Sequence, residues 1–199
     1  RKLETASGDL PFIGPNCYGF ANFFDRVALW PDQVTGTQLE RGVAFIAQSG
    51  TISISMMSQR RSLPLGYVIS LGNQQRLAAE DLIRYCAEDE RVSAIGLYLE
   101  GILDLPKFIA AIDYARTLGK PIALIKAGSS EKGRSAANTH TGALTGSDSL
   151  HDALFERLGI ARCETLSSLV ETLKLLHCFG PLPSKRILVF GASGGDMAM

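Results

Sequence analysis

Short apolar runs recur along the chain and alternate with longer segments in which apolar and polar residues follow a helical spacing. Four of these runs lie at Gly42–Ala47, Gly66–Gly72, Ala94–Glu100 and Pro121–Ala127. Continuous apolar runs of this length are typical of strands that are covered on both faces of a sheet. The pattern therefore predicts a buried strand at each of these positions.

The segments between and after these runs carry apolar residues at the spacing of an amphipathic helix. They are 78–89, 105–119, 149–159 and 165–179, and the second ends at a glycine, a common helix-terminating residue. Strands that alternate with helices of this length favour a parallel sheet with helices on both faces. We therefore predict the α/β class, with a flavodoxin-like, doubly wound parallel sheet.

The order of these elements predicts three regions along the chain. Residues 1–38 are expected to be the tail of an earlier domain with its linker, and residues 39–180 the flavodoxin-like domain. The linker "GPLP" follows the last predicted helix. Residues 181–199 carry a strand and a glycine-rich turn, which predicts the start of a second similar domain. Because the chain begins without methionine and stops where a helix should begin, we expect a fragment of a longer polypeptide. A disordered natural terminus is the alternative.

The composition and net charge argue against two classes of binding partner. The 199 residues are 46% hydrophobic and 20% charged, with a formal net charge of zero and a pI near 7. This balance indicates no basic surface, so nucleic acid and anionic membranes are not expected as partners. No apolar run approaches the roughly 18 residues that a membrane span needs, and the first residues do not resemble a signal peptide.

The four cysteines lie far apart and form no Cys-x-x-Cys pair. Scattered cysteines are typical of reduced thiols and not of a disulfide or zinc framework. We therefore expect a cytoplasmic protein. The cysteines are Cys17, Cys86, Cys163 and Cys178.

Two strand-to-helix turns share a composition rich in glycine and serine. The first, "QSGT", follows the strand Gly42–Ala47, and the second, "GASGG", follows the apolar run "RILVF". Such a turn presents free backbone N–H groups and the positive end of a helix dipole to an anion. The alternative for each is a simple tight turn, which any doubly wound sheet contains. The candidate phosphate-binding residues are Ser49, Gly50, Thr51, Ser193, Gly194 and Gly195.

His140 lies in "NTHTGALTG", a stretch of small hydroxyl-bearing and glycine residues that offers it almost no bulky neighbour. An exposed surface histidine is one interpretation of this setting. A metal site is not expected, because no second His, Cys or carboxylate stands at ligand spacing in this loop. Beside two anion-binding turns, an imidazole can instead act as a nucleophile toward phosphorus.

A histidine nucleophile needs an acceptor that holds its second ring N–H group. Glu100 ends a predicted strand and precedes Gly101, so its carboxylate is expected at the sheet edge that carries the turns. The alternative for Glu100 is a solvated strand-end acid or a helix cap. Asp104 is better placed to cap the next helix.

Six segments together resemble the NDP-forming acyl-CoA synthetases, the family whose relatives include ADP-forming acetyl-CoA synthetase and succinyl-CoA synthetase. The segments are distributed over nearly the whole chain, and their order and spacing make the resemblance specific. The segment that contains the histidine is the most specific of the six. The segments are "GPNCYG" (14–19), "AQSGT" (47–51), "SLGN" (70–73), "YLEG" (98–101), "KAGSSEKGRSAANTHTGALTG" (126–146) and "GASGGD" (191–196).

The resemblance implies a role for each matching residue. His140 would be the histidine that is transiently phosphorylated, and Glu100 the acid that orients or stabilises it. The first turn would hold phosphate near the acyl-CoA site, and the second would be another helix terminus of this kind. Asn16 and Cys17 would lie near the CoA thioester. The implied fold is the succinyl-CoA synthetase-like, flavodoxin-like domain.

The resemblance also implies a reaction in which acyl-CoA, phosphate and ADP give a carboxylic acid, CoA and ATP through an acyl phosphate and a phosphohistidine. The implied ligands are CoA or acyl-CoA, phosphate, and ADP or ATP with Mg²⁺, and the nucleotide site would lie outside this chain. The implied partners are a CoA-binding domain, an ATP-grasp domain or subunit, and further copies in an oligomer.

Two positions depart from the family pattern. Arg76 stands in the region after "SLGN" where the family usually carries acids, and Thr139 replaces the usual serine before the histidine. The Arg76 region leaves open whether the charge near the phosphohistidine, and with it the activity, is that of the family.

Three other functions are alternatives to a synthetase. A synthetase-like region that senses CoA or acyl-CoA without turnover, for example fused to a protein acetyltransferase, is favoured by Arg76 and opposed by the pairing of His140 with Glu100. A Rossmann dehydrogenase needs G-x-G-x-x-G after its first strand, which "AQSGTIS" lacks. A ligand-free scaffold would leave the two turns and the histidine loop unexplained.

Overall fold

A computed structural model describes residues 2–128 and 148–182, together with residues 184, 186 and 193. His140, Thr139, Gly194 and Gly195 lie outside the described residues. The strands are β1 (Gly19–Asn22), β2 (Val27–Leu29), β3 (Gly42–Ala47), β4 (Leu65–Ser70), β5 (Val92–Leu99), β6 (Ile122–Lys126) and β7 (Ala161–Arg162). The helices are α1 (Lys2–Ser7), α2 (Gly50–Ser58), α3 (Ala79–Glu88), α4 (Leu105–Thr117), α5 (Asp148–Arg157) and α6 (Leu166–Phe179).

The strands form one sheet in the order β2-β1-β4-β3-β5-β6-β7. Strands β4, β3, β5, β6 and β7 are parallel to their neighbours. In order along the chain, these five follow the 2-1-3-4-5 arrangement of a flavodoxin-like fold. The predicted α/β class and doubly wound parallel sheet are confirmed.

Helices cover both faces of this sheet. Helices α3, α4 and α5 enclose one apolar cluster, which contains Ile83, Phe108 and Phe155. Helices α2 and α6 enclose a second cluster on the opposite face, which contains Met56 and Leu173. Because the central strands lie between two layers of helices, every residue of β3 is buried, as its continuous apolar run predicts.

A short hairpin extends the sheet beyond the parallel strands. β1 pairs antiparallel with both β2 and β4. The sequence analysis did not predict β1, β2 or β7, since these strands have only four, three and two residues and lack a buried apolar run. The hairpin is continuous with the sheet of the following region, while the domain boundary expected near residue 38 stays a prediction.

None of the helices in the described ranges has the length and apolar character needed to cross a bilayer.

A network of charged and aromatic side chains ties this hairpin to the segment before β5. The Arg91 guanidinium pairs with Asp25 at 2.8 Å and with Asp89 at 2.8 Å, and it lies 4.7 Å from the centre of the Phe24 ring. The Tyr67 hydroxyl donates to Asp89 at 2.8 Å. The network fixes the position of the β1–β2 hairpin. Residues 16–18, which directly precede this hairpin, line the site described below.

The Asp89→Asn substitution is expected to lower the free energy of unfolding at neutral pH but not near pH 2. Burial alone would raise the pKa of Asp89, but hydrogen bonds from Arg91 and Tyr67 outweigh it and lower the pKa from 3.8 to about 2. The ionised carboxylate therefore stabilises the fold above pH 3.8, and this contribution is lost as the pH falls through the folded-state pKa. Its size at neutral pH is about 2 kcal/mol.

Denaturant unfolding of both proteins between neutral pH and about pH 2 measures this difference. Asp113, which pairs with Arg116 on the exposed face of α4, is the matched control. Asp113→Asn is expected to change stability by less than about 1 kcal/mol at any pH. A difference between Asp89→Asn and the unmutated protein that does not vary with pH would contradict the prediction.

Candidate functional site

A pocket of about 340 Å³ opens at the carboxyl ends of three neighbouring strands, β4, β3 and β5. In a sheet with this strand order, the winding direction reverses at β3, the first of the parallel strands. The crevice beside that strand is the usual place for a ligand. The pocket unites six residues that the sequence analysis selected with four others. Its lining is Asn16, Cys17, Tyr18, Gln48, Ser49, Gly50, Thr51, Gly72, Asn73 and Glu100.

The amino terminus of α2 forms one wall of the pocket. Ser49 is the N-cap of this helix, and its side chain accepts from the Ile52 N–H group. Gly50 and Thr51 are the first residues of the helix, and their N–H groups have no carbonyl partner within it. The first turn holds no acidic side chain. Free N–H groups and the positive end of the helix dipole therefore face the pocket and favour an anion.

Gly50 also allows an aromatic wall to approach the helix closely. A Cβ atom at this position would stand 2.6 Å from Tyr18 Cε2, which is closer than non-bonded atoms come. The Tyr18 ring in turn packs against Trp30, with the ring centres 5.5 Å apart. Glycine at this position is thus required by the packing of Tyr18, while the role of the first turn as a phosphate-binding site stays a prediction.

The opposite wall joins the segment before β1 to the loop after β4. The Asn73 N–H group donates to the Pro15 carbonyl at 2.9 Å, and Asn16 Nδ2 donates to Asn73 Oδ1 at 3.4 Å. Gly72 has a φ of +60° and lies against the carbonyls of Pro15 and Asn16. These contacts bring Asn16 and Cys17 to the pocket, and their predicted role beside the CoA thioester stays a prediction.

Glu100 lines the pocket directly after β5. Asp104 is the N-cap of α4, and its side chain accepts from the Lys107 N–H group at 3.0 Å. The expectation that Asp104 caps this helix is confirmed, so Glu100 is not needed for that purpose. Within residues 2–128 and 148–182, no hydrogen bond or ion pair engages the Glu100 carboxylate. The acid is therefore available to a group that enters the pocket.

Two buried polar side chains beside Glu100 were not selected as site residues from the sequence. Gln48 directly follows β3, and its side-chain amide forms hydrogen bonds with the backbone of Glu100 and Gly101. Lys126 ends β6, and its ammonium donates to the Glu100 carbonyl at 2.8 Å. Burial lowers the pKa of Lys126. Gln48 stands within the quoted turn, but only the folded chain brings its amide to Glu100.

Arg76 and Ser193 were also selected from the sequence, but neither of these described residues lines this pocket. Arg76 is exposed and lies outside the set of described residues that line it. Ser193 is described without its neighbours, so the second phosphate-binding turn stays a prediction, as does the role of His140. Over the described ranges, no group of three or more His, Cys, Asp or Glu side chains could hold a metal ion.

The family model of the succinyl-CoA ligase-like flavodoxin domain matches residues 40–176. The ADP-forming 4-hydroxybutyrate–CoA ligase of Nitrosopumilus maritimus is 30% identical over 194 residues, which cover 96% of this chain and 28% of that protein. Subunit alpha of the ADP-forming acetate–CoA ligase II of Pyrococcus furiosus is 35% identical over 188 residues, which cover 92% of this chain and 39% of that subunit.

A solved structure shares the fold as well as part of the sequence. The dinucleotide-forming acetyl-coenzyme A synthetase 1 of Ca. Korarchaeum cryptofilum, in complex with phosphate and ADP, matches with a TM-score of 0.77 and 28% identity. The match covers 88% of this chain and 38% of the synthetase chain. The chain thus spans less than half the length of each of these relatives.

The family model covers the parallel strands β3 to β7 and the turn that opens α2. The resemblance inferred from the six sequence segments is therefore confirmed, and the chain belongs to the succinyl-CoA ligase-like flavodoxin domain family.

Proposed function

We propose that this chain is the phosphohistidine-bearing part of an NDP-forming acyl-CoA synthetase, a CoA ligase that interconverts acyl-CoA, phosphate and ADP with a carboxylic acid, CoA and ATP. One observation carries the proposal: the amino terminus of α2 and the Glu100 carboxylate face the same pocket at the winding reversal of the sheet. An anion-binding terminus and a free acid are what a phosphohistidine relay needs. The names of the relatives support the same class of reaction.

The first proposed step forms an acyl phosphate. An oxygen of inorganic phosphate attacks the acyl carbon of acyl-CoA, the C–S bond breaks, and CoA leaves as the thiolate. The N–H groups of Gly50 and Thr51 and the Ser49 hydroxyl hold the phosphate, while Asn16 and Cys17 lie near the thioester. Positioning and electrostatic stabilisation supply most of the rate acceleration in reactions of this kind.

The second proposed step moves the phosphoryl group to the protein. A ring nitrogen of His140 attacks phosphorus, the bond from phosphorus to the acyl oxygen breaks, and the carboxylate leaves. Glu100 accepts a hydrogen bond from the other ring nitrogen and so keeps the attacking nitrogen free of its proton. An oxygen of ADP then attacks the phosphohistidine, which forms ATP and restores the imidazole.

The remaining parts of the reaction belong to partners. We place the nucleotide, with Mg²⁺, on an ATP-grasp domain or subunit, and most of the CoA contacts on a CoA-binding domain, in a cytoplasmic oligomer. The second turn, with Ser193, Gly194 and Gly195, would bind the phosphoryl group at another stage of the transfer. This division fits a chain that spans less than half of its relatives.

Transfer of label from γ-labelled ATP tests the proposal. The full-length protein with its nucleotide-binding partner is incubated with Mg²⁺ and labelled ATP, and we expect acid-labile, base-stable label on the peptide that contains His140. Addition of CoA and a carboxylic acid substrate should discharge it. Absence of label, with the nucleotide site shown to be occupied, would overturn the enzyme assignment and favour a protein that senses acyl-CoA.

A further inference from the structure

The Glu100 turn, which consists of Glu100 and Gly101 directly after β5, is held by a buried side-chain amide next to the neighbouring strand β3. Gln48 Oε1 accepts from the N–H groups of both Glu100 and Gly101, the latter at 2.9 Å. Gln48 Nε2 donates to the Gly101 carbonyl at 2.8 Å. The Gln48 side chain is only 7% exposed. One amide group therefore satisfies three backbone groups of this turn.

A buried ammonium holds the same turn from the strand on the other side. Lys126 Nζ donates to the carbonyls of Glu100 at 2.8 Å and Ala127 at 2.7 Å. Lys126 is 5% exposed, which is rare for a lysine. Since β5 lies between β3 and β6, the Glu100 turn accepts or donates hydrogen bonds to side chains at the ends of both neighbouring strands.

These hydrogen bonds replace the pairing that is lost where β5 ends. After Leu99, the backbone N–H and C=O groups no longer pair with a neighbouring strand, and such groups need another hydrogen-bond partner when they are buried. Ordinary solvent would satisfy them in a mobile exposed loop. Here two buried side chains do so in fixed positions, and the polar atoms of both are directed to the backbone.

We infer that Gln48 and Lys126 are positioning residues, which fix the Glu100 carboxylate in the pocket so that it can orient the phosphoryl-accepting histidine. The inference rests on the proposed function of Glu100 and His140. It differs from a purely structural role, because it requires phosphoryl transfer to depend on the two side chains more strongly than stability or nucleotide binding does.

Four variants of the full-length protein serve the test: two that remove a polar group, one control and one replacement. Gln48→Met removes the amide at nearly constant volume, and Lys126→Met removes the ammonium. Lys120→Met is the matched control, because Lys120 Nζ also donates to backbone carbonyls, those of Asp89 and Val92, at the opposite edge of the sheet. Gln48→Asn keeps a buried amide that is too short for all three bonds, and it replaces Gln48→Met if that variant does not fold.

The first measurement does not depend on the reaction. Hydrogen exchange of the full-length protein reports whether the amides of Glu100 and Gly101 are protected. We expect their exchange to quicken at least about tenfold in Gln48→Met or Gln48→Asn and to stay unchanged in Lys120→Met. Unchanged exchange at both amides in the Gln48 variants would overturn the assigned hydrogen bonds.

The second measurement is the rate at which His140 acquires label from ATP, followed as a function of pH. We expect the rate to fall at least about tenfold in the Gln48 and Lys126 variants, with the KM for ATP within about twofold of the unmutated value. The acid limb of the pH profile should shift by about half a pH unit or more, because a loosened carboxylate no longer sets the protonation of the histidine. Lys120→Met should label at the unmutated rate.

Failure of this inference is distinct from failure of the proposed function. An unmutated protein that acquires no label contradicts the proposed function itself. An unmutated protein that labels normally, beside folded Gln48 and Lys126 variants with the same rate and the same pH profile, leaves that function intact and overturns the positioning role.

Discussion

The His140→Asn variant is expected to form no measurable ATP from acyl-CoA, phosphate and ADP. Asparagine has no nucleophilic nitrogen of comparable basicity, so the phosphoryl group has no site on the protein between acyl phosphate and nucleotide. Loss of a covalent nucleophile costs a factor of about 10⁴ or more in turnover in enzymes of this kind. Acyl phosphate formation, which precedes the histidine step, should persist.

A coupled assay of ATP formation measures turnover, and trapping of acyl phosphate with hydroxylamine measures the earlier step. His151→Asn is the matched control, since His151 lies on α5 with its ring stacked on Phe155. That variant should keep turnover within about threefold of the unmutated protein, as is usual for substitutions outside the reacting groups. Normal turnover in His140→Asn would refute the phosphohistidine mechanism.

The Gly72→Ala variant is expected to lose both stability and the shape of the pocket. Gly72 has a φ of +60°, and a Cβ atom there would collide with the Pro15 carbonyl and stand 2.5 Å from the Asn16 carbonyl oxygen. A left-handed conformation costs a non-glycine residue about 1–2 kcal/mol. The collision adds about 1–3 kcal/mol, because backbone carbonyls cannot rotate away as a side chain can.

Gly119→Ala separates the two contributions. Gly119 has a φ of +69°, yet a Cβ atom there meets nothing within 4 Å. This control should show the conformational cost alone, so Gly72→Ala should be less stable than Gly119→Ala by about 1–3 kcal/mol in denaturant unfolding. Phosphate-dependent turnover should fall in Gly72→Ala and not in Gly119→Ala. Equal losses of stability in the two variants would mean that the Pro15–Asn16 segment is free to move.

The strands that the sequence predicted are those buried on both faces. The run Gly42–Ala47 matches β3 residue for residue, because a strand covered by helices needs apolar side chains throughout. All residues of β2 are exposed, and β7 has two residues, so neither leaves an apolar signal. Their positions depend on pairing with distant strands and are fixed only when the sheet assembles.

The residues of the pocket also divide into those that the sequence predicted and those that only the folded structure revealed. Ser49 and Glu100 could be selected because each lies within two residues of the end of a buried strand, and the carboxyl ends of parallel strands meet at one edge. The contribution of Gln48 and Lys126 could not be predicted, since a buried amide or ammonium gives no sign along the chain of which carbonyl or N–H group it will bond. The wall around Gly72 depends likewise on a contact between segments more than fifty residues apart.

The β1–β2 hairpin has a practical consequence for anyone who divides the protein into smaller pieces. A fragment that begins at residue 39 loses both hairpin strands and leaves the edge of β4, an entirely buried strand, without its antiparallel partner. Bare edges of long apolar strands recruit other chains and promote aggregation. The same cut removes Phe12, Gly14 and Pro15, whose carbonyls accept from the loop after β4. A soluble minimal fragment therefore needs to begin before Phe12.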